Sequence, residues 1–117
     1  MSLRMEKVDQ ELRKRITEII QQEIDDPDME FLSITRVKTT SDLQESRVYY
    51  SLLDDAQYEK AQEVLDKMKG FIRGLLGKRV HLKITPQLSF IPDESIKLSV
   101  DVYKKLKDLK ESEGNNE

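Results

Sequence analysis

KMKGFIRGLLGKRVHLKITPQLSFIP, residues 67–92, is the segment around which the rest of the chain makes sense. It carries Lys67, Lys69, Arg73, Lys78, Arg79 and Lys83 with the single histidine, His81, and no Asp or Glu. All 23 acidic residues of this 117-residue chain, whose formal net charge is −3, therefore lie elsewhere. An acidic protein with one long acid-free segment has a one-sided field, and polyanions are the usual partner of such a face. Gly70, Gly74 and Gly77 punctuate the segment. At roughly 1 kcal/mol each relative to alanine they make a poor helix by propensity alone. The segment therefore reads as a helix kinked at Gly70, where bare backbone allows close approach, resuming to a C-cap at Gly77. Phe71, Ile72, Leu75 and Leu76 then point to the core. Lys78 to Leu88 follows as a strand, with Val80, Leu82 and Ile84 on one face and Arg79, His81, Lys83 and Thr85 on the other. Pro86 and Pro92 bracket a connector, Gln87 to Ile91.

Upstream, Val8, Leu12, Ile16, Ile19, Ile20 and Ile24 recur at spacings of three and four, predicting an amphipathic helix from about Arg4 to Ile24. Asp25-Asp26-Pro27 ends it, because proline disfavours helical geometry in the residue before it. Arg13-Lys14-Arg15, interleaved with acids, reads as a solvated helix face. Phe31 to Thr40 is rich in β-branched residues and reads as a strand, with a bulge near Thr35-Arg36 to bring Val37 back into phase. Arg47 to Leu53 is a second strand with Val48, Tyr50 and Leu52 on one face, and the short link favours an antiparallel hairpin. Asp54-Asp55 offers an N-cap to a helix starting near Ala56. Beyond Pro92, Ile96, Val100, Tyr103 and Leu106 predict a last helix from about Glu94 to Leu109. The polar tail, residues 111–117, reads as disordered, leaving residues 1–110 as a single domain.

Composition removes several classes of function. There is no cysteine, so neither a disulfide framework nor a thiolate site is available. No apolar run approaches membrane-spanning length and the first residues lack a signal-peptide core, which leaves the cytoplasm as the expected address. Catalysis has little to work with. His81 has no carboxylate near it in sequence, Asp25-Asp26 and Asp54-Asp55 suit a helix stop and a helix cap, and no glycine-rich phosphate loop of the nucleotide-hydrolysing kind occurs. The chain reads as a binding protein with no cofactor and no metal site.

The order helix, strand, strand, helix, glycine-kinked helix, strand, followed by a C-terminal helix, resembles an α+β type II KH-like domain. Particular residues narrow the resemblance to the ribosome-binding factor A family. They are Asp26-Pro27, Ser41-Asp42-Leu43, Val48-Tyr49, Gly70-Phe71-Ile72-Arg73, Leu76-Gly77, and the closing Pro86-x-Leu88-x-Phe90-x-x-Asp93-x-Ser95. The similarity runs from about residue 4 to 108. It implies a bacterial assembly factor, monomeric and cytoplasmic, that binds the immature small (30S) ribosomal subunit and promotes late maturation of its 16S rRNA. It also implies a small-residue-x-glycine kink between two helices, which falls here on Met68-Lys69-Gly70 with methionine in place of the small residue. Asp28 stands where the family often has a base, and Gln87 where an acid is common. Gly74-Leu75-Leu76-Gly77 spells a glycine-x-x-glycine loop, but both leucines fit the apolar face of a helix.

On this reading Lys67, Lys69, Arg73, Lys78, Arg79, His81 and Lys83 meet RNA phosphates, and the backbone at Gly70 lets the strand come close. Tyr49 is the one outward aromatic available for stacking. The alternative is a protein-interaction module whose basic face meets an acidic protein partner.

Overall fold

A computed structural model describes residues 3–29, 31–94 and 104–109. Helix α1 (Leu3–Glu23) passes through a 3₁₀ turn, Pro27–Met29, into strand β1 (Ser33–Thr39). A tight turn leads to β2 (Glu45–Ser51), a second 3₁₀ turn (Asp55–Gln57) opens helix α2 (Tyr58–Arg79), and β3 (Gln87–Pro92) follows. The sheet order is β1-β2-β3, with β1 and β2 antiparallel and β2 and β3 parallel. Helix α1 packs on β1, α2 packs on β3, and the helices touch each other.

The core follows from the apolar periodicities. Leu12, Ile16 and Ile19 of α1 are fully buried and Ile20 nearly so. They meet Ile34 and Val37 of β1, Val48 and Tyr50 of β2, and Leu88 and Phe90 of β3 in one cluster. The expected bulge is present: Ile34 pairs with Tyr50 and Arg36 with Tyr49, leaving Thr35 extra. That one residue restores Val37 to the core side, because strand side chains alternate with a period of two. Asp54 caps the turn before α2, its carboxylate accepting the Ala56 N–H at 3.0 Å. Arg15 bridges Glu11 and Glu18 at 3.0 and 3.1 Å, as a solvated helix face would.

Two expectations fail in the central segment. Helix α2 is not broken at Gly70. It runs without interruption to Arg79, and no glycine in the described residues has a positive φ. Burial decides the contest. Ile72 and Leu76 are fully buried, each worth about 1.5–3 kcal/mol, against roughly 1 kcal/mol per glycine. The strand expected over Lys78–Leu88 is displaced as well: Lys78 and Arg79 end α2, residues 80–86 form a loop, and the strand is Gln87–Pro92. The supposed connector was the strand. Leu88 and Phe90 point into the core between exposed Gln87 and Ser89, and Pro86 and Pro92 stand just before it and at its last position, where a missing N–H is tolerated. The alternation of Val80, Leu82 and Ile84 buries little, since Ile84 remains 37% exposed. Of the expected last helix, residues 104–109 are helical. Residues 95–103 and the polar tail lie outside the described residues.

Polar ties join the layers. Tyr50, fully buried, donates its hydroxyl to Gln62 Oε1, and Gln62 Nε2 donates in turn to the Phe90 carbonyl at 2.9 Å. Burial, helped by the negative charge of Asp66, pushes the Tyr50 phenol up to about 12.

Two outcomes follow for stability. An added Cβ at Gly70 or Gly74 meets nothing within 4 Å, so Gly70→Ala and Gly74→Ala each raise unfolding free energy by about 0.4–1 kcal/mol in urea titration. Gly77→Ala gains less, because its Cβ would sit 3.0 Å from the Thr85 hydroxyl. For Tyr50, the unfolded phenol ionises near 10 and the folded one at about 12. The unfolded state therefore releases its proton first, and stability falls as pH rises from 10 toward 12. Tyr50→Phe removes that component of the alkaline loss.

Candidate nucleic-acid interface

Helix α2 is acidic at its start and basic at its end. Glu59, Glu63 and Asp66 outnumber Lys60 at the exposed positions of the helix before Lys67, and from Lys67 onward no acid remains in it. Around the helix, Lys67, Phe71, Gly74 and Lys78 fall at i, i+4, i+7 and i+11, one stripe turned from the buried Ala61, Leu65, Ile72 and Leu76. Gly74 on that stripe and Gly70 beside it leave backbone bare, whereas Gly77 faces Thr85, and Lys69 stands on the far flank of the glycines. Lys67, Lys69, Gly70 and Lys78 are all exposed.

The other expected contacts are placed differently. Arg73 is half-buried, and its guanidinium is committed. Nε donates to the carbonyls of Thr85 and Pro86 at 3.2 and 3.1 Å, and Nη2 to Thr85 again at 2.8 Å. Its fork fastens the loop ahead of β3 to the helix, a geometry lysine cannot reproduce. Arg79 is half-buried in the last turn, where it and Lys78 also complement the negative end of the helix dipole. His81 and Lys83 are exposed in the loop, not on a strand face.

Phe71 was expected in the core and is 51% exposed. The signal was available: it sits one residue, hence 100°, from fully buried Ile72, and on the stripe of Lys67 and Lys78. Tyr49, the expected stacking platform, is half-buried on the sheet face away from the helices, with the Arg36 guanidinium 4.0 Å above its ring. That face holds further cations in register, Lys38 opposite Arg47.

The ribosome-binding factor A family model matches residues 4–106. The chain belongs to that family. It is 39% identical over 109 residues to ribosome-binding factor A of Enterococcus faecalis, covering 92% of this chain and 94% of the relative. It is 42% identical over 97 residues to that of Macrococcus caseolyticus, covering 82% and 85%. The crystal structure of ribosome-binding factor A from Thermus thermophilus superposes with a TM-score of 0.69 at 24% identity, covering 75% of this chain and 94% of that one. A Thermotoga maritima solution structure gives 0.71 at 26% identity, covering 81% and 92%. Coordinates of the Thermus thermophilus factor fitted into a cryo-EM map of a 30S–RbfA complex give 0.65 at 24%, covering 74% and 91%. The α+β, KH-like fold read from the sequence is the fold of these structures.

In this member of the ribosome-binding factor A family, the residues that carried the resemblance have definable structural tasks. Asp93 of the closing motif is 6% exposed. It accepts the Thr35 hydroxyl of the β1 bulge, and its N–H donates to the Tyr50 carbonyl at 2.7 Å. Asp42 accepts the Thr40 hydroxyl at 2.7 Å and the Gln44 N–H at 3.1 Å, bonds that lower its carboxyl below the usual range. They shape the β1–β2 turn, in which Leu43 adopts φ 62°.

Arg73→Lys strands the Thr85 and Pro86 carbonyls. It should cost about 1–3 kcal/mol in urea denaturation, whereas Lys69→Ala, one turn away and exposed, should change stability by less than about 0.5 kcal/mol.

Proposed function

We propose that this protein is an assembly factor without chemistry of its own that binds 16S rRNA on the immature small ribosomal subunit through the second half of α2 and promotes late maturation of that RNA. One observation carries the reading: the acid-free, glycine-bared end of α2, with Lys67 and Lys78 on one side of the bare backbone and Lys69 on the other. Lysine ammonium groups act there as point charges for phosphates, and missing side chains let a sugar-phosphate strand approach the helix. Phe71 adds an exposed ring between Lys67 and Lys78 on which an unpaired base can stack. A relative in the same family has been fitted into a map of a 30S complex, which supports the small subunit as partner. The protein acts as a monomer in the cytoplasm.

With Arg73 committed to the loop and Lys83 beyond the end of the helix, roughly three lysines (Lys67, Lys69, Lys78) neutralise phosphates along α2, so log K against log salt for that face should slope between about −2 and −3. Lys67→Glu with Lys78→Glu should weaken binding to free small subunits while the protein stays folded, the melting temperature falling by only a few degrees as Lys78 leaves the negative end of the helix dipole. The protein should sediment with free small subunits rather than with assembled ribosomes. An association that survives ribonuclease digestion of the complex would instead indicate an acidic protein partner, and a salt slope near zero would remove the basic face as the source of affinity.

A further inference from the structure

Beyond the end of α2 the chain closes a cleft that the helical face does not include. Arg4 of α1, Ser41 and Leu43 of the β1–β2 turn, and His81, Leu82 and Lys83 of the loop line a space of about 480 Å³. Three segments far apart in sequence thus converge, and among the described residues every ionisable side chain in the lining is basic. Arg4, His81 and Lys83 are exposed, and among the described residues none of their side chains makes a hydrogen bond or an ion pair. Val8, Leu43 and Leu82 are half-buried and supply an apolar floor. The nearest acid in the turn, Asp42, is held by Thr40 and Gln44. Leu43 is the one non-glycine residue with positive φ among the described residues. A leucine kept in that conformation in the floor of a basic cleft is the kind of local strain that clusters at binding sites.

We infer that this cleft binds one unpaired RNA nucleotide, its phosphate on Arg4, His81 and Lys83 and its base on Val8, Leu43 and Leu82. The inference rests on the RNA-binding reading above and names a second, separate point of contact. A polyanion alone would need no apolar floor, and a base locked inside a duplex could not reach one. Cationic side chains beside a small apolar pocket suit a flipped-out or single-stranded nucleotide, with the Ser41 hydroxyl available to a base edge or a ribose.

The test is a nuclear magnetic resonance titration of the full chain, following backbone amides, with a uridine trinucleotide, uridine monophosphate, inorganic phosphate and a short RNA duplex as separate arms. The trinucleotide should shift Arg4, Ser41, Leu43, Leu82 and Lys83 at lower concentration than the monophosphate, and inorganic phosphate should shift them least. Arg4→Glu with Lys83→Glu should weaken trinucleotide binding by about tenfold or more and reduce its salt slope by about 1. Duplex binding at α2 should change by less than about threefold. Shifts confined to residues 67–79 while RNA still binds would overturn the proposal. So would inorganic phosphate matching the trinucleotide, or the monophosphate binding as tightly, since either removes the RNA strand from the site. Failure of the α2 face is read separately, as RNA affinity unchanged by Lys67→Glu with Lys78→Glu.

Discussion

The parallel pairing of β2 with β3 imposes the geometry that the other elements obey. Strands joined in parallel need a crossover, and α2 supplies it by running back along the sheet. A seven-residue strand covers about 20 Å, whereas the 22 residues of α2 extend about 33 Å. The helix therefore overshoots. Arg73, about 22 Å along it, is the residue that reaches the Thr85 and Pro86 carbonyls just ahead of β3. Everything from Gly74 to Arg79 projects past that level, and the loop must fold back beside it.

That overshoot locates the second candidate surface and the Gly74–Lys78 end of the first. The projecting turns of α2 have lost their need for large side chains on the outer face, so glycine is tolerated there, and the lysines flank open backbone. The returning loop brings His81 and Lys83 alongside the start of α1 and the β1–β2 turn. Gathering cations at one end disfavours the fold through mutual repulsion, and the carbonyl-rich end of α2 partly offsets this.

A second group of polar contacts protects the sheet. The β1 bulge leaves Thr35 outside the ladder, and its hydroxyl is claimed by the Tyr49 carbonyl and by Asp93. Asp93 in turn fixes the end of β3 to β2 through its own N–H. The bulge, needed to put Val37 into the core, thus becomes an anchoring point for the strand furthest from it in sequence.

The order of the elements, the amphipathic first helix, the hairpin and the bulge were legible because each is written locally. Three-four spacing from Val8 to Ile24, alternation through Val48 and Tyr50, and the phase slip at Thr35-Arg36 need no distant partner to be read. The acid-free segment was equally plain from charge alone. What the sequence could not decide was how far α2 continues, since glycine propensity argues for a break and only the burial of Ile72 and Leu76 against strands distant in sequence overrides it. The same long-range packing moved the last strand to Gln87–Pro92, because two alternating apolar sets, Val80-Leu82-Ile84 and Leu88-Phe90, competed and pairing with β2 selected the second. Arg73 and Phe71 exchanged their expected places for the same reason. A side chain's local pattern says which face it shares, while the position of the loop and the neighbouring helix decides whether that face is open, buried or already bonded.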